Sequence, residues 1–201
     1  MKSTIKQQTI QKIVGTAVLS AIIVILQLIA SGIKIGPFTI TLSLIPIVLG
    51  AILFGPISGA VLGAVFGGMV SFAVVTGADP GGFLMFQQIP ALTLFLCMLK
   101  STVAGFLSGV LWKLLQNKNR ILAVLCASAI CPIANTGILS IGMMVFYHDL
   151  VLTWAIGEGF ANVFSYIIIG VVGFNFLVEL AINLLLSPAL LRVIHAVKNK
   201  L

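Results

Sequence analysis

The segment that decides the fold runs from Lys113 to Arg120 and reads Lys-Leu-Leu-Gln-Asn-Lys-Asn-Arg. This segment is polar and basic, and a long, almost uniformly apolar run lies on each side of it. About 20 mostly apolar residues are enough to cross a bilayer as a helix, and Lys or Arg beside such a run marks its cytoplasmic end. The segment therefore predicts a cytoplasmic turn between two membrane-spanning helices.

Two further basic clusters lie at the ends of the chain. If all three clusters are cytoplasmic, an even number of spans separates each from the next. The first cluster comprises Lys2, Lys6 and Lys12, and the last comprises Arg192, Lys198 and Lys200. Counting the apolar runs gives a single membrane domain, residues 1–201, with both termini inside. The six predicted spans are residues 10–30, 38–54, 57–76, 91–115, 121–147 and 162–191.

The composition supports a membrane protein made of helices. The 201 residues are 60% hydrophobic and only 7% charged, whereas soluble domains average about 25% charged residues. Apolar runs this uniform do not alternate as the strands of a membrane β-barrel do. The predicted fold class is therefore an all-α integral membrane protein, a six-transmembrane-helix bundle oriented N-in/C-in. The loops at 77–90 and 148–161 are then predicted to lie outside.

No nucleotide-binding, catalytic or metal-ligand motif is visible in the sequence. We therefore expect neither an enzyme nor a cofactor. The formal charge of +7 is explained by residues that flank the spans, so it does not indicate a nucleic-acid partner.

Ionisable residues inside membrane spans are costly and commonly mark functional sites. Lys100 and Glu179 each lie thirteen positions before a basic residue at the predicted inner boundary, Lys113 and Arg192 respectively. At 1.5 Å per residue both lie roughly 20 Å from that boundary, and Asn135 reaches a similar level. Two interpretations remain open: a structural ion pair between two helices, or a ligand cavity in which Lys100 binds a carboxylate.

Several neighbouring polar residues are predicted to contribute to the same site. Pro132 interrupts helical hydrogen bonding beside Asn135 and Thr136, and Asn175 shares a helical stripe with Glu179 and Asn183. Gln87 and Gln88 precede the fourth span and are candidates to cap a cavity. A satisfied kink, a stripe that joins helices and an ordinary solvated loop are the competing interpretations.

Small residues recur every four positions in two predicted spans. Gly59, Gly63 and Gly67 predict close packing of the third span inside the bundle. Ala17 and Ala21 form a similar face on the first span, which is suited to close approach by another helix.

The stretch Thr41–Ala60, with its Phe54-Gly55-Pro56 turn, resembles the second and third helices of the S-components of energy-coupling factor (ECF) vitamin transporters. Residues 132–137 and 179–183 are similar to later parts of the same family. Within the family, the sequence resembles the pantothenate branch. Folate, hydroxymethylpyrimidine and niacin are alternative vitamins, and an accessory or structural membrane protein with no small-molecule ligand is the alternative of another class.

The resemblance implies a substrate-binding subunit in the cell membrane of a bacterium, which captures a vitamin from outside for ATP-driven uptake. It implies partners as well, a transmembrane coupling subunit (the T-component) and two cytoplasmic ATPases. In the family an Ala-xxx-Ala face on the first helix docks the coupling subunit, and Ala17 and Ala21 match that motif. The loops at 31–39 and 77–90 match those that gate the family's binding site.

Overall fold

The computed structural model describes residues 2–30, 34–35, 38–39, 42–188 and 192. Within these ranges the chain is almost entirely helical. The helices are α1 Lys2–Ala30, α2 Leu44–Phe54, α3 Pro56–Val75, α4 Pro80–Gln88, α5 Pro90–Leu115, α6 Arg120–Phe146, α7 His148–Gly157, α8 Val163–Ser165 and α9 Phe174–Leu185. A π-helical segment, Tyr166–Gly173, joins α8 to α9 and makes residues 163–185 one continuous helical run. Two short antiparallel strands, β1 Lys34–Ile35 and β2 Phe38–Thr39, pair Lys34 with Thr39 and Ile35 with Phe38.

Four segments are long and apolar enough to cross a membrane. They are Gln7–Ile29 in α1 and the whole of α3, α5 and α6. Two shorter apolar helices, Leu44–Phe54 and Phe176–Leu185, accompany them. The predicted class, an all-helical membrane protein, is therefore confirmed.

The structure corrects the predicted start of the second span. That span was expected to begin at Phe38, but Phe38 belongs to β2 and α2 begins only at Leu44. Hydropathy cannot separate the two, since an apolar residue satisfies it equally well in a strand or in a helix. The eleven residues of α2 extend about 16 Å, which is shorter than the hydrocarbon core of a bilayer.

The structure also corrects the two segments expected to be outer loops, because each contains a helix. Asp79 caps α4, its side chain accepting a hydrogen bond of 3.3 Å from the backbone N–H of Gly82, and Pro80 occupies the first turn. Both are ordinary signals for a helix start. The segment after α6 forms α7, whose Val151 and Ala155 are buried.

The closest helix contact joins α3 to α5 through glycines, as the spacing in the sequence predicts. A Cβ atom added to Gly59 would overlap the carbonyl oxygen of Gly105, and one added to Gly63 would overlap that of Ser101. A Cβ on Gly67 would lie 2.8 Å from the carbonyl oxygen of Cys97. The absence of side chains therefore lets the two backbones touch along three turns of α3.

Two apolar clusters fill the bundle. The first joins α1, α2, α3, α5 and α6 around residues such as Ile23, Ile47 and Phe66. The second joins α4, α5, α6, α7 and the last helical run around Met85 and Tyr147. The hydroxyl groups of Tyr147 and Thr93 lie 2.7 Å apart and tie the end of α6 to the start of α5.

The α3–α5 contact makes a matched pair of glycine variants informative. Gly63→Ala places a methyl group against backbone, which cannot move aside as a side chain can, so we expect a loss of about 1–3 kcal/mol in stability. Gly68→Ala, one turn away on the exposed face with nothing within 4 Å of its Cβ position, should leave stability unchanged. Thermal unfolding in detergent measures both, and equal melting temperatures for the two variants would contradict this account of the contact.

Candidate functional site

A cavity lies where the two apolar clusters meet. It is enclosed by α3, α4, α5 and α6, and the segment just before α4 completes it. The residues that line it are Val70, Val74, Asp79, Gly82, Met85, Thr93, Leu96, Cys97, Lys100 and Leu139. Most of this lining is apolar, and a few polar side chains converge on it, as is typical of small-molecule sites.

Lys100 supplies the cavity with a positive charge. Its side chain is only 8% exposed, and it lies in the middle of α5, one turn after Cys97. Asp79 lines the same cavity, and both side chains lie close enough to Cys97 to act on its thiol electrostatically. The Lys100 ammonium group carries three N–H donors, so a ligand carboxylate can bind it alongside the Asp79 carboxylate.

Asp79 places a carboxylate on the same cavity, and the sequence analysis did not identify it as a site residue. Its side chain is 7% exposed, because its role as the α4 cap turns it into the bundle. A carboxylate accepts hydrogen bonds only, so it suits hydroxyl or amide donors on a ligand. The Asp79-Pro80 pair is the sequence signal that could have drawn attention to this position, since it indicates a helix start.

The cavity is nearly closed in this conformation. The centre of a water molecule can occupy about 20 Å³ of it, which is room for about one water. Ligand pockets usually measure about 300–1,000 Å³. A vitamin-sized solute therefore needs one wall to move, and α4, with nine residues, is the shortest of the four helices that form the walls.

Asn135 lies on α6 one turn from Leu139, which lines the cavity. Its side chain is 5% exposed, and its amide oxygen has no hydrogen-bond partner. Unpartnered buried amide oxygens are rare in proteins because they have lost water without gaining another donor. Asn135 therefore has a free acceptor beside the cavity, although it does not line it in this conformation.

The other predicted site residues lie away from the cavity. Gln87 and Gln88 are exposed at the end of α4, and Thr136 is partly buried next to Asn135. Glu179 is buried on α9, where it lies close enough to Cys131 of α6 to act on its thiol electrostatically. The side chain of Asn175 lies outside the described residues. The structure thus brings Lys100 to the cavity, whereas Glu179 does not line it.

A second surface feature is a groove between α1 and the start of α3. Its lining is mainly apolar and includes Ala17. Ala17 and Ala21 are both exposed on α1. Because neither carries a bulky side chain, another helix can approach this face closely.

Comparisons with known proteins agree with this architecture. The sequence matches the family profile described as "ECF transporter, substrate-specific component" over residues 11–191. It is 27% identical over 195 residues to the pantothenic acid transporter PanT of Lactococcus lactis subsp. cremoris strain MG1363, covering 91% of this chain and 93% of that protein. No solved structure matches the chain.

Proposed function

The chain belongs to the family of ECF transporter substrate-specific components, and from this premise we propose that the vitamin it binds is pantothenate. It is a component of a transporter rather than an enzyme, and a multi-pass protein of the bacterial cell membrane. The family assignment decides against an accessory or structural protein with no ligand. The pantothenic acid transporter of Lactococcus lactis supports the choice of vitamin.

One observation supports an anionic vitamin above all: Lys100 is buried within α5 and lines the cavity, where its ammonium group offers three N–H donors. Pantothenate carries a carboxylate at one end and hydroxyl groups at the other, with an amide between. In the proposed complex Lys100 binds the carboxylate by a charge-assisted hydrogen bond. Asp79 and the Asn135 amide oxygen are acceptors for the hydroxyl and amide donors. Glu179, Thr136, Asn175, Gln87 and Gln88 remain proposed contacts of an opened cavity.

We propose that the complete bundle has six spans with both termini inside. Lys12 lines the α1 groove beside Ile57 and Ser58, and the Lys113 side chain lies next to Gly55. The N-terminal and mid-chain basic clusters therefore lie at the same end of the bundle, near the α2–α3 turn. The acidic Glu158 shares a groove with Pro80 at the start of α4, which supports an acidic opposite end outside.

The proposed partners are a transmembrane coupling subunit and two cytoplasmic ATPases, which would supply the energy that this chain has no motif to supply. The exposed Ala17 and Ala21 face is the proposed docking site for the coupling subunit. The groove that continues from it onto α3 is apolar, as expected of a surface that packs against another membrane helix.

The charge of Lys100 can be tested with a substitution of similar length. Lys100→Met should weaken pantothenate binding by about 1.5–3 kcal/mol, the scale of a charge-assisted hydrogen bond, or roughly 10- to 150-fold in Kd. Isothermal titration on the purified protein without ATP measures the change. Lys118→Met, in the exposed turn between α5 and α6, is the matched control and should bind normally.

The same titrations separate the alternatives. Wild-type protein that prefers folate, hydroxymethylpyrimidine or niacin would contradict pantothenate as the substrate. Normal affinity in a folded Lys100→Met protein would remove Lys100 from the site. A loss of stability in Lys100→Met, recovered in the double variant with Glu179→Gln, would instead support the structural ion pair.

The docking face can be tested without touching the cavity. Ala17→Trp and Ala21→Trp should abolish co-purification with the coupling subunit and stop uptake, because bulk prevents close helix approach. Vitamin binding by the isolated subunit should be unchanged. Ala161→Trp changes an exposed alanine just before α8 and should assemble normally. Normal assembly of both α1 variants would show that the coupling subunit docks elsewhere.

The orientation can be tested by cysteine labelling in a background whose native cysteines are replaced by alanine. A cysteine at Asp149, whose side chain is 97% exposed, should react with an impermeant maleimide added to intact cells. A cysteine at Lys118 should react only after the membrane is permeabilised. Labelling of Lys118 from outside would overturn the N-in arrangement.

A further inference from the structure

A break in α6 leaves polar atoms deep in the bundle. Pro132 has no backbone N–H, so it cannot donate to the carbonyl of Ser128 four residues earlier. The Ser128 side chain is completely buried, and its hydroxyl group has no hydrogen-bond partner. Ser101 and Ser71 instead bond to the preceding turn of their own helices, at 2.9 Å to the Cys97 carbonyl and 2.8 Å to that of Gly67. The Ser128 hydroxyl group is therefore available to another group, and its carbonyl lacks the donor that position 132 normally supplies.

A second unpartnered atom lies on α9. Asn183 is 2% exposed, and its amide nitrogen donates to the backbone carbonyl of Glu179 at 2.9 Å. Its amide oxygen has no partner. The nitrogen bond holds the amide in place, so the oxygen cannot simply rotate towards a donor elsewhere.

The register between the two helices brings these atoms to one level. Tyr147 at the end of α6 packs in one cluster with Tyr166 at the start of the last helical run, and Cys131 lies near Glu179 further along. The helices are therefore antiparallel. Ser128 lies three residues before Cys131 on α6, about 4.5 Å along the helix axis, and Asn183 lies four residues after Glu179 on α9, about 6 Å along its axis. Because the helices are antiparallel, the two displacements run in the same direction. Residues three or four positions apart share a helix face, so Ser128 faces the same way as Cys131 and Asn183 the same way as Glu179.

We propose that α6 and α9 enclose a binding site for a single water molecule between Ser128 and Asn183. The water donates one hydrogen bond to the Ser128 carbonyl and one to the Asn183 amide oxygen, and it accepts one from the Ser128 hydroxyl group. Three bonds are the usual number for a buried water. Without it, the Ser128 hydroxyl and carbonyl groups and the Asn183 amide oxygen would lie unsatisfied between α6 and α9 at membrane depth, where each such group costs stability.

This site is separate from the vitamin cavity, because neither Ser128 nor Asn183 lines that cavity. It also does not depend on which vitamin the protein carries. Its role is to satisfy the carbonyl that Pro132 leaves without a donor and to join α6 to α9 at that level.

A double-variant cycle tests the shared water. Ser128→Ala and Asn183→Leu should each lower the melting temperature of the detergent-solubilised protein by about 2–6 °C. Together they should lower it by clearly less than the sum, because the second change acts on a water that is already lost. Ser71→Ala combined with Asn183→Leu is the control pair and should be additive. Additive losses for Ser128 and Asn183 would overturn the proposal.

A structure at a resolution that shows ordered waters provides the direct measurement. Density within hydrogen-bond distance of both the Ser128 hydroxyl and the Asn183 amide oxygen is expected in the wild type and should be absent in the double variant. A direct Ser128–Asn183 hydrogen bond without that density would contradict the proposal. Exchanging sodium for choline at equal ionic strength should not change the melting temperature, and a sodium-specific stabilisation would replace water with a cation.

Discussion

The contact between the glycines of α3 and the backbone of α5 is the constraint on which the rest of the structure depends. Gly59, Gly63 and Gly67 place the α3 backbone directly against α5 carbonyl groups. A membrane provides little hydrophobic drive for helices to associate, so van der Waals packing at this distance must supply it. Because α5 carries Lys100 and the end of α3 leads into Asp79, the same contact sets where the two charges of the cavity lie.

The cavity contains buried charged side chains, which are costly inside a membrane protein and commonly mark a functional site. A lysine and a carboxylate, Lys100 and Asp79, face one small space. Taking such a charge out of water is costly, and an anionic ligand recovers part of that cost. In the proposed complex, a neutral analogue would lack the carboxylate that accepts a charge-assisted hydrogen bond from Lys100. The near absence of free volume indicates that this conformation is closed, with α4 as its outer wall.

The polar groups buried between α6 and α9 differ in charge from those that line the cavity. The unpartnered side-chain atoms, those of Ser128 and Asn183, are uncharged, Glu179 lies one turn from Asn183, and Pro132 leaves a backbone carbonyl without its usual donor. Uncharged polar groups without a partner are satisfied by hydrogen bonds to a small molecule such as water, and they need no counter-ion. The chain therefore contains two kinds of buried polar site: a charged cavity suited to a solute, and uncharged groups of Ser128 and Asn183 suited to water.

The sequence by itself determined the membrane class, the long helices and Lys100 as an intramembrane charge, because hydropathy and charge are properties of a local window. The glycines at spacing four also predicted that α3 packs closely inside the bundle, although not that α5 is its partner. Only the tertiary structure decided that Asp79 lines the cavity, that Gln87 and Gln88 are exposed at the end of α4, and that Glu179 lies near Cys131. Those outcomes depend on which helix faces meet and in what register. Contacts between segments far apart in the chain set that register, and no local pattern encodes it.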